Sequence, residues 1–353
     1  MHYLDIQNVI LMVLIPFVFV VLIIPLIKKI AFHIGALDIP NERKIHTKPM
    51  PRLGGLGIYA GFLLGYILFG EYTYMMNSIL IGSFVLIITG MIDDIKPLGA
   101  KYKLIGQVIA SLIVVFYGKI LLQDVSVFGL YLDFGVFAYP FTIFFLLGCI
   151  NCMNLIDGLD GLAAGISSIF FLTIGIIAYF QGAGGLAFEL SFILTFIMLG
   201  STTGFLVHNF YPAKIFMGDS GSMFLGFIIS VITLLGFKSV LMSSIIIPMF
   251  ILVVPILDTL LAIIRRKLKG ESIDTPDKSH IHHQLLRKNL GIRNSVLIIY
   301  FITAIFSIDS IIYVLVDNMI GYIVYGILMI FIIVFILKTD ILFDRNKKKK
   351  EGI

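Results

Sequence analysis

Charge is scarce in this chain. Only 13% of its 353 residues are charged, against 59% that are hydrophobic. A water-soluble domain carries about a quarter charged residues, so a soluble globular fold is excluded. Cysteine is nearly absent as well: Cys149 and Cys152 are the whole complement. No disulfide framework is available, and a lone C-x-x-C at the end of an apolar run reads as two small buried residues, not as a redox or zinc site. Several signatures are missing outright. The chain has no P-loop, and no G-x-G-x-x-G in a suitable context. It has no Gly-x-Ser-x-Gly nucleophile elbow. Internal repeats are absent, as is a soluble domain, the longest extramembrane stretch being about 265–294.

What the chain has is long apolar runs. Crossing a bilayer takes about 20 apolar residues, and eleven candidate spans satisfy this: 9–30, 54–70, 75–92, 103–121, 136–152, 160–180, 186–207, 221–237, 242–264, 295–316 and 319–337. The runs are continuous and not alternating, so helices are expected, with backbone groups paired inside each segment. The expected fold is an all-α polytopic membrane protein, a single integral membrane unit over 1–353 with a basic tail at 338–353. The first run is too long for a removable signal peptide and lacks a cleavage pattern. Nearly all 26 basic residues fall after spans 1, 3, 5, 7 and 9 or in the tail, with only Lys119 and Lys238 on the other side. That asymmetry places the odd-numbered loops and the C-terminus in the cytoplasm and the N-terminus outside. The net charge of +5 is therefore a topology signal, not a nucleic-acid one. Lys347–Lys350 reads equally as a solvated tail or as a contact to anionic headgroups.

Two spans carry special residues. Span 2 holds Gly57, Gly61 and Gly65, a spacing that lets helices approach closely. Span 9 holds Pro248 and Pro255, which remove backbone donors and favour a break. Asp258 follows the second proline. An acid there is costly and is expected to face the protein interior or a wet cleft.

The chemistry crowds the cytoplasmic loops. Residues 151–162 read Asn-Cys-Met-Asn-Leu-Ile-Asp-Gly-Leu-Asp-Gly-Leu. Asn154, Asp157 and Asp160 are three apart and would share a face if the segment is helical; Asn151 sits one turn earlier. Hard oxygen donors of this kind suit Mg²⁺ or Mn²⁺. Loop 2 opens with Asp93-Asp94 and leads to Lys103 and Gln107. Adjacent carboxylates repel unless a cation intervenes, which suits a general base or a metal neighbour, though a solvated helix cap is the plainer reading. Loop 4 places Asp219 in Gly218-Asp-Ser-Gly221, either as a helix cap or as a metal ligand. Loop 1 carries Arg43, Lys44, His46, Lys48 and Arg52, which either hold phosphate oxygens or only set topology. Loop 5 carries Arg265, Arg266, His280, His282 and His283, without the spacing of a zinc site. Together the pieces imply phosphoryl transfer, with carboxylates and a metal opposite clamped phosphates. A groove at the membrane surface implies a lipid substrate.

Five motifs in order carry a family resemblance: Arg43-Lys44-x-His46 ending in Gly54-Gly55, then Asp93-Asp94, then Asn154-x-x-Asp157-Gly-x-Asp160-Gly, then Gly218-Asp-Ser-Gly221, then His280-Ile-His282-His283. The chain resembles the polyprenyl-phosphate N-acetylhexosamine-1-phosphate transferases. The resemblance implies transfer of a sugar-1-phosphate from a UDP-sugar to a polyprenyl phosphate, with Mg²⁺ and release of UMP. It implies Asp219 as a metal ligand beside Asn154 and Asp157, and Asp93 as the acid that deprotonates the lipid phosphate, with Asp94 as its partner. Lys103 would lie near the diphosphate, Asp160 near the nucleotide, and the His-x-His-His segment over the sugar-phosphate; Lys44, His46, Asn151, Arg265 and Arg266 join the substrate-binding set. The interrupted histidine run and eleven spans look like the UDP-GlcNAc branch, which starts cell-surface glycans such as teichoic acid or O-antigen. UDP-MurNAc-pentapeptide or UDP-GalNAc are the alternatives within the family, and an ion-coupled transporter is the alternative outside it. The resemblance further implies a plasma-membrane location with a cytoplasmic site, and a homodimer.

Overall fold

The computed structural model describes residues 5–40, 48–127, 130–182, 185–238, 246–268, 270 and 280–338. Among these, eight helices are long and apolar enough to cross a membrane, and Gly54–Phe69 and Asn318–Val334 are shorter apolar helices. The protein is a helical, multi-pass membrane protein. Its helices are α1 (Ile6–Ile34), α2 (Gly54–Phe69), α3 (Tyr74–Ile95), α4 (Ala100–Leu112), α5 (Ala138–Ile156), α6 (Leu162–Gln181), α7 (Leu186–Asn209), α8 (Gly218–Lys238), α9 (Ile246–Ile251), α10 (Val253–Leu268), α11 (Ile281–Arg287), α12 (Gly291–Leu315) and α13 (Asn318–Lys338). The basic tail beyond Lys338 lies outside the described residues.

Local chemistry sets the ends. Asp5 accepts from the Gln7 N–H and starts α1, which stops at Gly35 in the left-handed region. Thr73 accepts from the Met76 N–H and starts α3. Each satisfies a donor that the first helical turn leaves open. Span 9 is interrupted as expected: α9 and α10 are separated at Leu252. Pro255 has no N–H to offer the Ile251 carbonyl, so the helical ladder loses a rung there.

Two small hairpins join the helices. β1 (Leu37–Asp38) pairs antiparallel with β2 (Met50–Pro51) and closes the base of loop 1. β3 (Asp124–Val127) pairs with β4 (Leu130–Asp133) at the opposite end of the bundle.

The core helix is α8, whose apolar window is 94% buried. It packs against α2, α3, α5 and α7, while α6 and α12 extend the bundle on one side. The glycines of α2 work as packing surface. A Cβ at Gly57 would meet Ile24, one at Gly61 would meet Val20 and Ser201, and one at Gly65 would meet Ile197, all at 2.7 Å or less. At the site end the approach is closer still. A Cβ at Gly55 would lie 2.1 Å from the Gly221 nitrogen, and one at Gly90 would lie 2.3 Å from the Ser220 Cα. Three helix ends therefore meet backbone to backbone around the start of α8.

Candidate active site

The loop before α8 is zipped to the start of α2. Gly54 and Gly55 donate to the carbonyls of Phe216 and Met217 at 2.9 and 2.8 Å, and Phe216 donates to Pro51 at 2.8 Å. This fixes Gly218, whose φ of +75° suits glycine. A Cβ there would sit 2.2 Å from the Arg52 carbonyl and 2.4 Å from the Asp94 carboxylate.

Three carboxylates converge at this point. Asp93 and Asp94 come from the last turn of α3 and Asp219 from the first turn of α8, with one oxygen of each within 4.8 Å of the others. Two cations hold them. Lys103, in the first turn of α4, bonds Asp219 at 2.7 Å and lies 3.7 Å from Asp93. Arg52 reaches Asp94 at 3.7 Å, Asp219 at 3.6 Å and Asp38 at 3.5 Å. Burial opposes the charge on Arg52, but the carboxylates of Asp94, Asp219, Asp38 and Asp93 leave its pKa raised.

The two adjacent acids have different surroundings. Asp94 has no exposed side-chain surface. It accepts from the Asp219 N–H at 2.8 Å, the Ser220 N–H at 3.2 Å and the Ser220 hydroxyl at 2.8 Å. A carboxylate from α3 thus caps α8, where backbone donors and the helix dipole favour negative charge. Asp93 accepts from the Leu98 N–H at 2.7 Å and keeps its other oxygen toward Lys103.

Segment 151–162 is not one helix. α5 ends at Ile156, Asp157 is its cap residue, and the chain turns before α6. The shared-face expectation therefore does not hold for Asp157 and Asp160. Gly158 and Gly161 end the helix, Gly161 with a φ of +79°. The turn is pinned from outside: the Gly161 N–H donates to Asn209, Tyr300 donates its hydroxyl to the Gly161 carbonyl, and the Ala213 N–H donates to Asp160 at 2.9 Å. Asn154 donates to the Ser222 hydroxyl at 2.9 Å. Asn151 is engaged elsewhere. Its NH₂ donates to Gln107 and to the Leu147 carbonyl, both at 2.8 Å, and its oxygen accepts from Gln107. It locks α4 to α5.

These elements enclose a cavity of about 640 Å³ lined by, among others, Arg52, Asn154, Asp157, Asp160, Asp219 and His283. The Asp157 carboxyl is pushed up to about 7, first by burial and then by Asp219, with Arg52 opposing. Crowded carboxylates of this kind are relieved by a cation. Among the described residues, the carboxylate oxygens of Asp93, Asp94 and Asp219 converge closely enough to share a cation. Asp157, Asp160 and Asn154 add oxygen donors along the cavity, with His283 as a nitrogen. A donor set dominated by oxygen fits a hard divalent ion better than zinc.

The remaining expected residues fall differently. Arg265 and Arg266 lie buried in the last turn of α10 and do not line this cavity. His280 is buried against Asp258. His282 lies in α11, but its side chain is outside the described residues, as are Lys44 and His46. The cysteines are small and mostly enclosed, as expected. Arg52 was expected only as a phosphate ligand or a topology charge, not as a partner of the acids, and Gln107, Ser220, Ser222, Asn209 and Tyr300 were left out of the expected site set. Gln107 and Ser222 stood beside motifs, and Ser220 inside one. Tyr300 lies in an apolar run that offered no signal.

Residues 76–237 match the model of glycosyl transferase family 4. The chain is 45% identical over 296 residues to the Bacillus subtilis "Probable undecaprenyl-phosphate N-acetylglucosaminyl 1-phosphate transferase", covering 83% of this chain and 81% of the relative. It is 31% identical over 311 residues to the decaprenyl-phosphate N-acetylglucosaminephosphotransferase of Mycolicibacterium smegmatis, covering 80% and 77%. It is 30% identical over 298 residues to the undecaprenyl-phosphate alpha-N-acetylglucosaminyl 1-phosphate transferase of Escherichia coli, covering 82% and 80%.

Proposed function

The chain belongs to glycosyl transferase family 4, and from that premise we propose that it transfers N-acetylglucosamine-1-phosphate from UDP-GlcNAc to undecaprenyl phosphate and releases UMP. The product is the lipid-linked start of a cell-surface glycan. One observation carries the reading. Residues from the second, third and fourth motifs, scattered over the ends of α3, α5 and α8, meet within one charged site beside one cavity. The names of the relatives agree on N-acetylglucosamine phosphate and a polyprenyl phosphate.

Asp219, Asn154 and Asp157 would hold Mg²⁺, or Mn²⁺ in its place. When bound, the ion neutralises diphosphate charge. Asp93 takes the proton of the lipid phosphate, and an oxygen of that phosphate attacks the sugar-bearing phosphorus. The phosphorus–oxygen bond to UMP breaks, and UMP leaves with the electron pair. Lys103 and Arg52 balance charge at the phosphates, an electrostatic role with large effects in a site of low polarity. Asp94 holds the start of α8 in place and so aims Asp219. Asp160 and His283 line the donor end of the cavity. Eleven crossings, an external N-terminus and a cytoplasmic site at the plasma membrane accord with the basic loops lying at the end of the bundle that carries the acids. Homodimer formation follows from the resemblance alone.

The test is UMP release by purified protein in detergent with undecaprenyl phosphate and Mg²⁺. Release that depends on lipid, metal and UDP-GlcNAc supports the reading. Release only from UDP-MurNAc-pentapeptide or UDP-GalNAc overturns the sugar assignment, and no release from any donor overturns the reaction.

A further inference from the structure

Asp258 and His280 have no part in the chemistry above, yet they form a built pair. Asp258 lies in α10, three residues after Pro255, and is 1% exposed; His280 is 5% exposed. A carboxylate buried in a membrane helix is costly without partners, and Asp258 has two. One oxygen accepts from the Ile281 N–H at 2.7 Å, and the other bonds His280 Nδ1 at 2.9 Å. Ile281 begins α11, which also carries His283 into the cavity wall. The rings of His280 and His283 are 6.3 Å apart. On the other side, Thr259 next to Asp258 reaches Cys152 at 3.5 Å, two residues from Asn154. The Asp258 carboxylate thus joins the broken span to the histidine segment, and its neighbour Thr259 joins the same span to the end of α5.

We propose that Asp258 is a positioning residue for the transfer: it holds His280 as the tautomer protonated on Nδ1 and seats the His280–His283 segment against the cavity. The claim rests on the transferase reading above. The chemistry is direct. A carboxylate has only acceptors to offer, so the shared proton belongs to Nδ1, and in the neutral ring Nε2 keeps its lone pair. Asparagine has nearly the same shape but a different pattern. In Asp258→Asn, the amide oxygen still accepts from Ile281, while the NH₂ donates to Nδ1 and moves the ring proton to Nε2. The segment stays seated and the tautomer reverses.

The experiment combines kinetics with ¹⁵N spectroscopy of histidine-labelled full-length protein in detergent, with His280 assigned by its loss in His280→Asn. The wild type is expected to show His280 protonated at Nδ1. Asp258→Asn is expected to elute and melt like the wild type, to show the ring protonated at Nε2, and to lose about 10–100-fold in kcat, the scale found when the hydrogen-bonded partner of a metal-bound histidine is removed. His280→Asn keeps a donor for Asp258 but has no Nε2, and is expected to lose a similar factor. An unchanged His280 spectrum in Asp258→Asn, or wild-type turnover in either variant, overturns the proposal. A wild-type protein that releases no UMP from any donor refutes the transferase reading instead, and the tautomer signals then still decide the role of Asp258.

Discussion

Replacing Asp94 with asparagine separates a positioning role from a chemical one. The carboxylate serves three donors at the start of α8: the N–H groups of Asp219 and Ser220 and the Ser220 hydroxyl. In Asp94→Asn, one oxygen remains and keeps the 2.8 Å bond to Asp219. The NH₂ then faces Ser220, whose hydroxyl can turn to accept, but whose N–H loses its acceptor. A buried donor left open costs about 1–3 kcal/mol, and the surviving bonds lose their charge assistance. Arg52 loses a carboxylate at 3.7 Å as well. The total is on the order of 3 kcal/mol, above the range of an ordinary cap and near that of a broken buried pair. The melting midpoint in detergent should fall by roughly 4 °C, and UMP release should fall with it because Asp219 is no longer aimed. Ser220→Ala removes one bond and should cost about 1 kcal/mol, and the two changes should couple in a double-mutant cycle. An Asp94→Asn protein that melts like the wild type and shows no coupling to Ser220, yet has lost all activity, would refute this reasoning and make Asp94 a chemical participant.

Three further outcomes follow. Asp219→Asn should keep its fold, since an amide oxygen can still accept from Lys103, but should lose about 10²–10³-fold in turnover, the scale known for removing one preorganised charge-stabilising group from an active site; chelation should abolish wild-type activity and added Mg²⁺ restore it, and unaffected activity after chelation would remove the metal from the mechanism. Gly218→Ala should destabilise the protein by at least about 1–3 kcal/mol, because the position has a φ of +75° and the new Cβ would press on the Arg52 carbonyl; a melting curve like the wild type's would show that the loop before α8 can yield.

The sequence by itself determined the helical segments, because a bilayer requires long apolar runs whose backbone pairs internally. The structure's helices follow the expected spans closely, including the interruption of span 9 between its two prolines. The acids at Asp93, Asp94, Asp157 and Asp219 were legible too, since carboxylates beside apolar runs are costly without a use, and the amide of Asn154 was legible from its place in the same segment as Asp157. The hairpin of β3 and β4 was missed although Asp124-Val-Ser-Val127 alternates polar and apolar, because strands of four residues carry too little period to stand out from an extended loop. Only the tertiary structure divided the work among these residues. Asp93 and Asp94 are neighbours in sequence, but adjacent positions on a helix point about 100° apart, so one meets Lys103 and the other the backbone of α8. Asn151 and Asn154 are one turn apart, yet one locks α4 to α5 and the other lines the cavity. Asp258 gained its partner from a segment that begins 22 residues later. Composition and spacing report which groups a membrane protein keeps at a cost; which donors those groups face depends on how helices far apart in the chain pack against one another.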